Sequence, residues 1–144
     1  MLEIIGRKEK ISLIEWGLFN VSAKVDTGAY TSSIHCDYVR ERETEGKKIL
    51  EFLPLSPQHK QFKYNLISTR QFARKKVKNS FGHVETRYKV RTKVSMFGKE
   101  FDAEFTLSER SGMKTPLLLG RKILKGRFLI DVDKIYLSSL RAKK

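Results

Sequence analysis

The sequence predicts an all-β fold, a barrel or a sandwich built from many short strands. Apolar residues recur mostly with a period of two rather than 3.6, which is typical of strands with one buried face. Turn residues separate these runs at regular intervals. The chain has 144 residues, 40% of them hydrophobic, which is enough for one domain with its own core. The glycines at the predicted turns are Gly17, Gly46, Gly82, Gly98 and Gly126.

The clearest pair of predicted strands consists of the segments YKVRTKVSM and EFDAEFTL. Apolar and polar side chains alternate in both, and the short segment FGK between them predicts a turn, so the pair is typical of a β-hairpin. Arg91 and Lys93 on the first strand complement Asp102 and Glu104 on the second. Opposite charges on paired strands stabilise the pairing by up to about 1 kcal/mol each.

The remaining segments predict further short strands and one helix. GRKILKG, residues 120–126, is the one segment that favours a short helix, near residues 121–125. LISTRQFARKKVKNS is compatible with either a basic strand or a loop. Because no repeat, low-complexity tract or linker interrupts the chain, we expect a single domain over residues 1–144. The other predicted strands are EIIGR, ISLIE, VSAKVD, SSIHCDYV, KKILEFLPL, RFLIDV and KIYLSS.

Composition bounds the location of the protein and its partners. The sequence has no apolar run long enough for a membrane span, no signal-peptide pattern and a single cysteine, Cys36, so we expect a cytoplasmic protein. The net charge is +14, and residues 52–84 contain seven Lys or Arg and no acid. Such a surface attracts nucleic acid, anionic lipid or acidic peptides, although surface charge also serves solubility alone.

An Asp-Thr-Gly tripeptide follows an apolar strand at residues 26–28 and is typical of aspartic proteases. Gly28 lacks a Cβ, so the backbone can turn tightly and bring its amides towards the carboxylate of Asp26. Thr27 supplies a hydroxyl that braces the loop. Ala29 and Ser32 complete the pattern Asp-Thr-Gly-Ala-x-x-Ser. The alternative interpretation of the tripeptide alone is a turn that an aspartate initiates.

A second motif follows in the order that an aspartic protease requires. Residues 117–120 read LLLG and lead into the helix-compatible RKIL. In aspartic proteases such an apolar segment crosses beneath the catalytic loop, which makes Leu119 and Gly120 candidate supports of that loop. The alternative is a buried strand that ends in a glycine turn.

Four ordered blocks of the chain resemble one family. AKVDTGAYTSSIHC, SFGHVETRYKVRTKV, FTLSERSGMKTPLLLGRKIL and GRFLIDVDKIYL are similar to retropepsin-like aspartic peptidases, also labelled ATP-dependent zinc proteases and associated with RimK-type ATP-grasp glutamate ligases. The resemblance implies a closed barrel of the acid-protease type with one short helix, and Asp26 as the catalytic residue. The chain departs from the family at Tyr30, where a basic residue is more usual.

Aspartic proteolysis requires two carboxylates that share a proton, one acting as base on a water and the other as acid on the scissile carbonyl. The sequence contains one Asp-Thr-Gly. We therefore predict a homodimer that pairs Asp26 of both subunits across a two-fold axis. The alternative is a catalytically inactive basic module on the same fold that binds peptide or RNA.

The sequence does not favour the zinc and ATP parts of the family label. It lacks His-Glu-x-x-His, Cys-x-x-Cys and a phosphate-binding loop, and His35, His59 and His83 are widely spaced. We predict no metal site and no cofactor. Asp131 and Asp133 are interpreted as a surface turn rather than as a second acidic site.

The family's link to glutamate ligases and the basic span together predict an acidic substrate. An extended, glutamate-rich protein tail would be drawn to residues 52–84 and could add to the sheet as a strand. Lys75, Lys76 and Lys78 are the candidates for steering the substrate. No membrane partner is expected. The charge is compatible with a nucleic-acid partner, although no motif in the sequence supports one.

Overall fold

A computed structural model describes residues 2–78, 81–108 and 115–138 of the chain. It consists mainly of strands, and six of them close into a barrel. The strands are β1 (Glu3–Ile5), β2 (Lys8–Leu13), β3 (Leu18–Val25), β4 (Ser32–Thr44), β5 (Lys47–Pro54), β6 (Ile67–Thr69), β7 (Phe72–Lys78), β8 (Val84–Met96), β9 (Lys99–Ser108), β10 (Leu117–Leu119) and β11 (Phe128–Ile130), with a 3₁₀ turn at Ile14–Trp16 and the helix α1 at Arg121–Leu124.

The barrel has the order β3–β2–β8–β9–β4–β10, and β10 pairs back onto β3. Leu118 of β10 lies opposite Lys24 of β3 in a parallel pair and opposite Ser33 of β4 in an antiparallel pair. One three-residue strand thus closes the barrel and links the strands before and after residues 26–31. The predicted closed barrel and its short helix are confirmed.

The barrel interior is filled by the alternating apolar side chains of its strands. All three residues of β10 are buried, which places β10 in the core rather than at an edge. The aromatic ring of Trp16 packs edge-on against Phe52 with 5.1 Å between the ring centroids. The fully buried apolar side chains of the barrel include Ile11, Leu13, Ile34, Val94, Phe105, Leu117 and Leu119.

The predicted hairpin is confirmed. β8 and β9 are antiparallel, with Arg91 opposite Glu104 and Lys93 opposite Asp102. Phe97 and Gly98 form the connecting turn, and both have positive φ (53° and 72°), as the tightest hairpin turns require.

The prediction of a strand at KIYLSS, residues 134–139, is wrong for the described residues. Residues 134–136 have no regular structure, and residues 137 and 138 are helical. At residues 137 and 138 the fully buried carboxylate of Glu9 takes the place of a partner strand, because it accepts hydrogen bonds from the amides of Leu137 and Ser138 (3.0 Å each) and from the Ser138 hydroxyl (2.8 Å). Those amides are therefore not available to a sheet.

The segment whose structure the sequence left open forms two strands. β6 pairs with β5, whereas β7 pairs with β8 alone. In the described ranges β9 pairs with residues 88–96 of β8, so the outer part of the β7–β8 pair, residues 75–78 with residues 84–87, extends beyond the pairing with β9. We call β7 together with residues 84–87 the basic arm. No helix of the described ranges is long and apolar enough to cross a membrane.

Candidate active site

Asp26 directly follows β3, on the loop that residues 26–31 form before β4 begins. Its amide donates a hydrogen bond to the carbonyl of Leu119 (2.9 Å), so the loop is attached to β10 at its first residue. The residue is only partly buried, which leaves its carboxylate reachable by solvent. The structure therefore presents Asp26 at the end of a barrel strand rather than in the core.

The loop folds back on the carboxylate of Asp26. The amide of Gly28 donates to Oδ1 at 2.8 Å, and the amide of Ala29 donates to the Asp26 carbonyl at 3.3 Å. A Cβ on Gly28 would lie 3.2 Å from that same Oδ1, which is tighter than ordinary packing. A glycine therefore suits this position, because it lets the amide approach the carboxylate.

Gly120 lies directly against the loop and fixes its shape. Its amide donates to the buried hydroxyl of Ser32 at 3.0 Å. A Cβ at this position would lie 2.8 Å from the carbonyl oxygen of Tyr30 and 2.9 Å from that of Ala29. The structure thus brings together the predicted supports Thr27, Gly28, Ala29, Ser32, Leu119 and Gly120 around Asp26.

Arg121 attaches α1 to the loop, and the sequence analysis did not identify it. Its backbone amide donates to the Ala29 carbonyl and its Nη1 to the Thr27 carbonyl, both at 2.8 Å. The guanidinium lies 5.7 Å from the ring centroid of Tyr30, which is within the range of a cation–π contact. The only sequence signal for this role was its position directly after Gly120.

An ion pair holds α1 to the barrel wall. The Nζ of Lys122 donates to Glu104 on β9, and Lys89 lies 3.3 Å from the same carboxylate. The bond from Lys122 is the main reason why the pKa of Glu104 is lowered, and the reverse contact raises the pKa of Lys122. Both groups therefore stay charged at neutral pH, and the pair persists there.

The three lysines predicted to steer the substrate lie on the basic arm, in β7 and not in the loop around Asp26. All three are exposed. Lys76 lies opposite Thr86 and Lys78 opposite Val84, whereas Lys75 lies opposite Arg87. Since side chains alternate along a strand, Lys76 and Lys78 share one face of the arm and Lys75 belongs to the other.

The histidines and the cysteine do not form a reactive or metal-binding cluster in the described ranges, where no three His, Cys, Asp or Glu side chains converge. His35 is buried, with Nε2 2.6 Å from Asp37. Burial lowers the pKa of His59. Burial also raises the pKa of Cys36 to about 12, so this thiol is not a nucleophile at neutral pH.

Asp131 and Asp133 lie in an exposed turn, in which Asp131 accepts a hydrogen bond from the amide of Asp133 at 3.0 Å.

This geometry, a closed barrel with an Asp-Thr-Gly loop braced by a strand, a glycine and a short helix, is that of a retropepsin-like fold. The family model of the retropepsin-like aspartic endopeptidase RimB matches residues 4–140. The chain therefore belongs to the RimB-like family.

Relatives of known name support the link to glutamate ligases. The chain is 35% identical over 130 residues to a probable alpha-L-glutamate ligase of Desulfotalea psychrophila, and 33% identical over 129 residues to one of Shewanella halifaxensis. These matches cover 90% and 89% of this chain but only 28% of each relative, so the chain spans little more than a quarter of their length.

The same fold occurs in a crystal structure. A protein of unknown function from Legionella pneumophila superposes with a TM-score of 0.74 at 29% identity, covering 94% of this chain and 97% of that one. The likeness extends over the whole barrel and not only over the motif around Asp26.

Proposed function

We propose that the protein is an aspartic endopeptidase whose reacting carboxylate is that of Asp26. The observation that carries the proposal is the loop geometry. A partly buried carboxylate accepts the Gly28 amide at 2.8 Å, and β10, Ser32 and Gly120 hold the loop that presents it. A rigidly held carboxylate at the surface of a barrel is suited to acid–base work on a bound peptide.

The reaction needs a second carboxylate, which a second copy of the chain supplies. In a two-fold dimer the two Asp26 side chains share one proton. The ionised carboxylate takes a proton from a water, which attacks the scissile carbonyl. The protonated carboxyl gives its proton to the carbonyl oxygen, which forms a tetrahedral diol. The C–N bond then breaks as the carboxyl that took the water's proton gives it to the leaving nitrogen, while the other carboxylate takes a proton back from a hydroxyl of the intermediate. No metal takes part in these steps.

The substrate that we propose is a glutamate-rich protein tail. The curated relatives are named glutamate ligases, and residues 52–84 of this chain are free of acidic residues. Within the described ranges β7 of the basic arm pairs with β8 alone, so its other edge can accept an extended peptide through backbone hydrogen bonds. Lysines are also common on exposed edge strands because they oppose aggregation, and the steering role therefore needs its own test.

Two measurements test dimerisation: the mass of the protein in solution, and the activity of wild-type protein mixed with the Asp26→Asn variant. We expect the mass in solution to be twice the 16.8 kDa of the chain. Excess Asp26→Asn protein should inhibit the wild type, because each mixed dimer keeps only one Asp26. A monomer that cleaves peptide with undiminished activity on mixing would contradict the paired-carboxylate mechanism.

Charge steering is tested by reversing Lys75, Lys76 and Lys78 to Glu together. We expect slower cleavage of a glutamate-tailed peptide, by about tenfold at low salt and less at high salt, because salt screens the attraction. A neutral peptide of the same length should be cleaved at an unchanged rate. The matched control reverses three exposed lysines outside the arm, Lys47, Lys48 and Lys99. Equal slowing of both peptides, or of neither, would exclude steering by the arm.

A second candidate function is an inactive basic module that binds peptide or RNA. The observation that favours it is the spacing of Arg74, Lys76 and Lys78 on one face of the arm, since alternate residues of a strand lie about 6.6 Å apart. RNA binding with a steep salt dependence, together with no cleavage of any peptide, would support this function instead.

A further inference from the structure

A pocket of about 520 Å³ opens beside the loop of Asp26. Thr27 and Tyr30 of that loop line it, together with cations of α1 and the residue that follows it. We propose that this pocket binds a glutamate-type side chain of the peptide substrate, a carboxylate on a short aliphatic stem. This inference rests on the proposed function, because it names a binding site next to the proposed catalytic carboxylate.

The positive charge of the pocket lining favours a ligand that carries a carboxylate. The charged residues among the described lining residues are Arg121, Lys122 and Lys125, and all three are cations. Lys122 already pairs with Glu104, and Arg121 uses one of its five N–H groups on the Thr27 carbonyl. Lys125 is exposed and forms no ion pair with the described part of the chain. Lys125 and the remaining N–H groups of Arg121 are therefore the donors for an incoming carboxylate.

The apolar part of the pocket lining favours a ligand with an aliphatic stem. Leu124 and Phe128 are buried at 5% and 6% exposure, and together with Ile130 they form the apolar part of the lining. An apolar wall has a low dielectric constant, which strengthens the attraction between a carboxylate and the cations beside it. The methylene groups of a glutamate side chain can contact this wall while its carboxylate reaches Lys125.

The position of the pocket gives it a role in specificity. Thr27 lines the pocket and directly follows Asp26. A side chain held there belongs to a residue close to the bond that is cleaved, so the pocket would select acidic residues near the scissile bond. The basic arm, by contrast, attracts the tail as a whole and does not distinguish one residue from the next.

The experiment measures binding separately from cleavage. Fluorescence anisotropy of a labelled glutamate-tailed peptide is recorded on Asp26→Asn protein, which cannot consume the peptide, and a glutamine-tailed peptide is the neutral comparison. On this background Lys125→Glu should raise Kd for the glutamate peptide about tenfold at low salt, the size of one charged contact. Binding of the glutamine peptide should not change. Lys47→Glu, the same charge change on exposed β5, should leave both affinities as they are.

Three other outcomes are decisive. Equal weakening by Lys125→Glu and Lys47→Glu would overturn the proposal, because only the total charge would then matter. A change in solution mass with no change in affinity would overturn it as well, since the pocket would then be a contact between subunits. Selective weakening by Lys125→Glu in a protein whose wild type cleaves no peptide would support the pocket and refute the peptidase function.

Discussion

Asp26→Asn should lower the rate of peptide cleavage about 10³- to 10⁴-fold and leave the fold intact. An asparagine has nearly the same shape as an aspartate. It keeps an oxygen that can accept the hydrogen bond which the Gly28 amide donates to Oδ1 of Asp26 at 2.8 Å in the wild type. What it loses is the ability to take and give a proton. The measurement is kcat/KM on a glutamate-tailed peptide, with thermal unfolding recorded on the same samples.

The chain offers a matched control for this substitution. Asp131 also accepts the amide of the residue two positions later, Asp133, at 3.0 Å, so Asp131→Asn makes the same chemical change in the same kind of turn. We expect it to retain full activity. Activity should also survive a chelator, because the proposed steps use no metal. An Asp26→Asn protein as active as the wild type would refute the catalytic role of Asp26 and favour the binding module.

The barrel could be predicted because its signal is local. The period-two pattern of β8 and β9 indicates which face is buried, and the opposite charges of Arg91 and Glu104 agree with the pairing that the structure has. Closure of the barrel could not be derived this way. It depends on β10, three residues long, which pairs with two strands that are distant from it in sequence.

Local sequence patterns do not show the contacts that a side chain makes with residues far away in the sequence. Residues 134–138 have the composition of a strand, yet Glu9, which is more than 120 positions away, accepts the amides of Leu137 and Ser138, and these two residues are helical. The same holds at the candidate site. The loop residues follow a motif, whereas the bond from Arg121 to the Thr27 carbonyl joins positions 94 residues apart and has no local pattern.

For the basic arm, the sequence predicted the charge but not the arrangement of the side chains. The composition of residues 52–84 predicted a cationic surface but not its geometry, because the segment LISTRQFARKKVKNS within it is compatible with a loop or a strand. This segment is a strand because it pairs with β8. Lys75 therefore lies on one face of the strand, and Lys76 and Lys78 lie on the other. The three side chains that the sequence analysis grouped are thus presented on two faces, and a peptide along one face would contact only two of them.

Gly120→Ala should lower the free energy of unfolding by about 3 kcal/mol, a large effect for the addition of one methyl group. The new Cβ would lie 2.8 Å from the Tyr30 carbonyl oxygen and 2.9 Å from that of Ala29. These are backbone atoms and cannot rotate away. Both carbonyls also accept amides of α1, from Lys122 at 3.0 Å and Arg121 at 2.8 Å, so relief of the clash would break those bonds.

The same movement would displace the loop of Asp26, so cleavage should fall together with stability even where the variant remains folded. Urea unfolding measures the loss of stability, and the cleavage assay is run well below the unfolding midpoint. The control is Gly46→Ala, at a turn where φ is +75° and, apart from the adjacent residues, no atom of the described part of the chain lies within 4 Å of the new Cβ. That change introduces only the left-handed strain of an alanine, about 1–2 kcal/mol, and should leave activity unchanged. Equal losses of stability and activity in the two variants would contradict a role for the close approach of Gly120 to the loop, because the backbone of Gly120 is extended (φ −94°, ψ 177°) and alanine adopts it without strain.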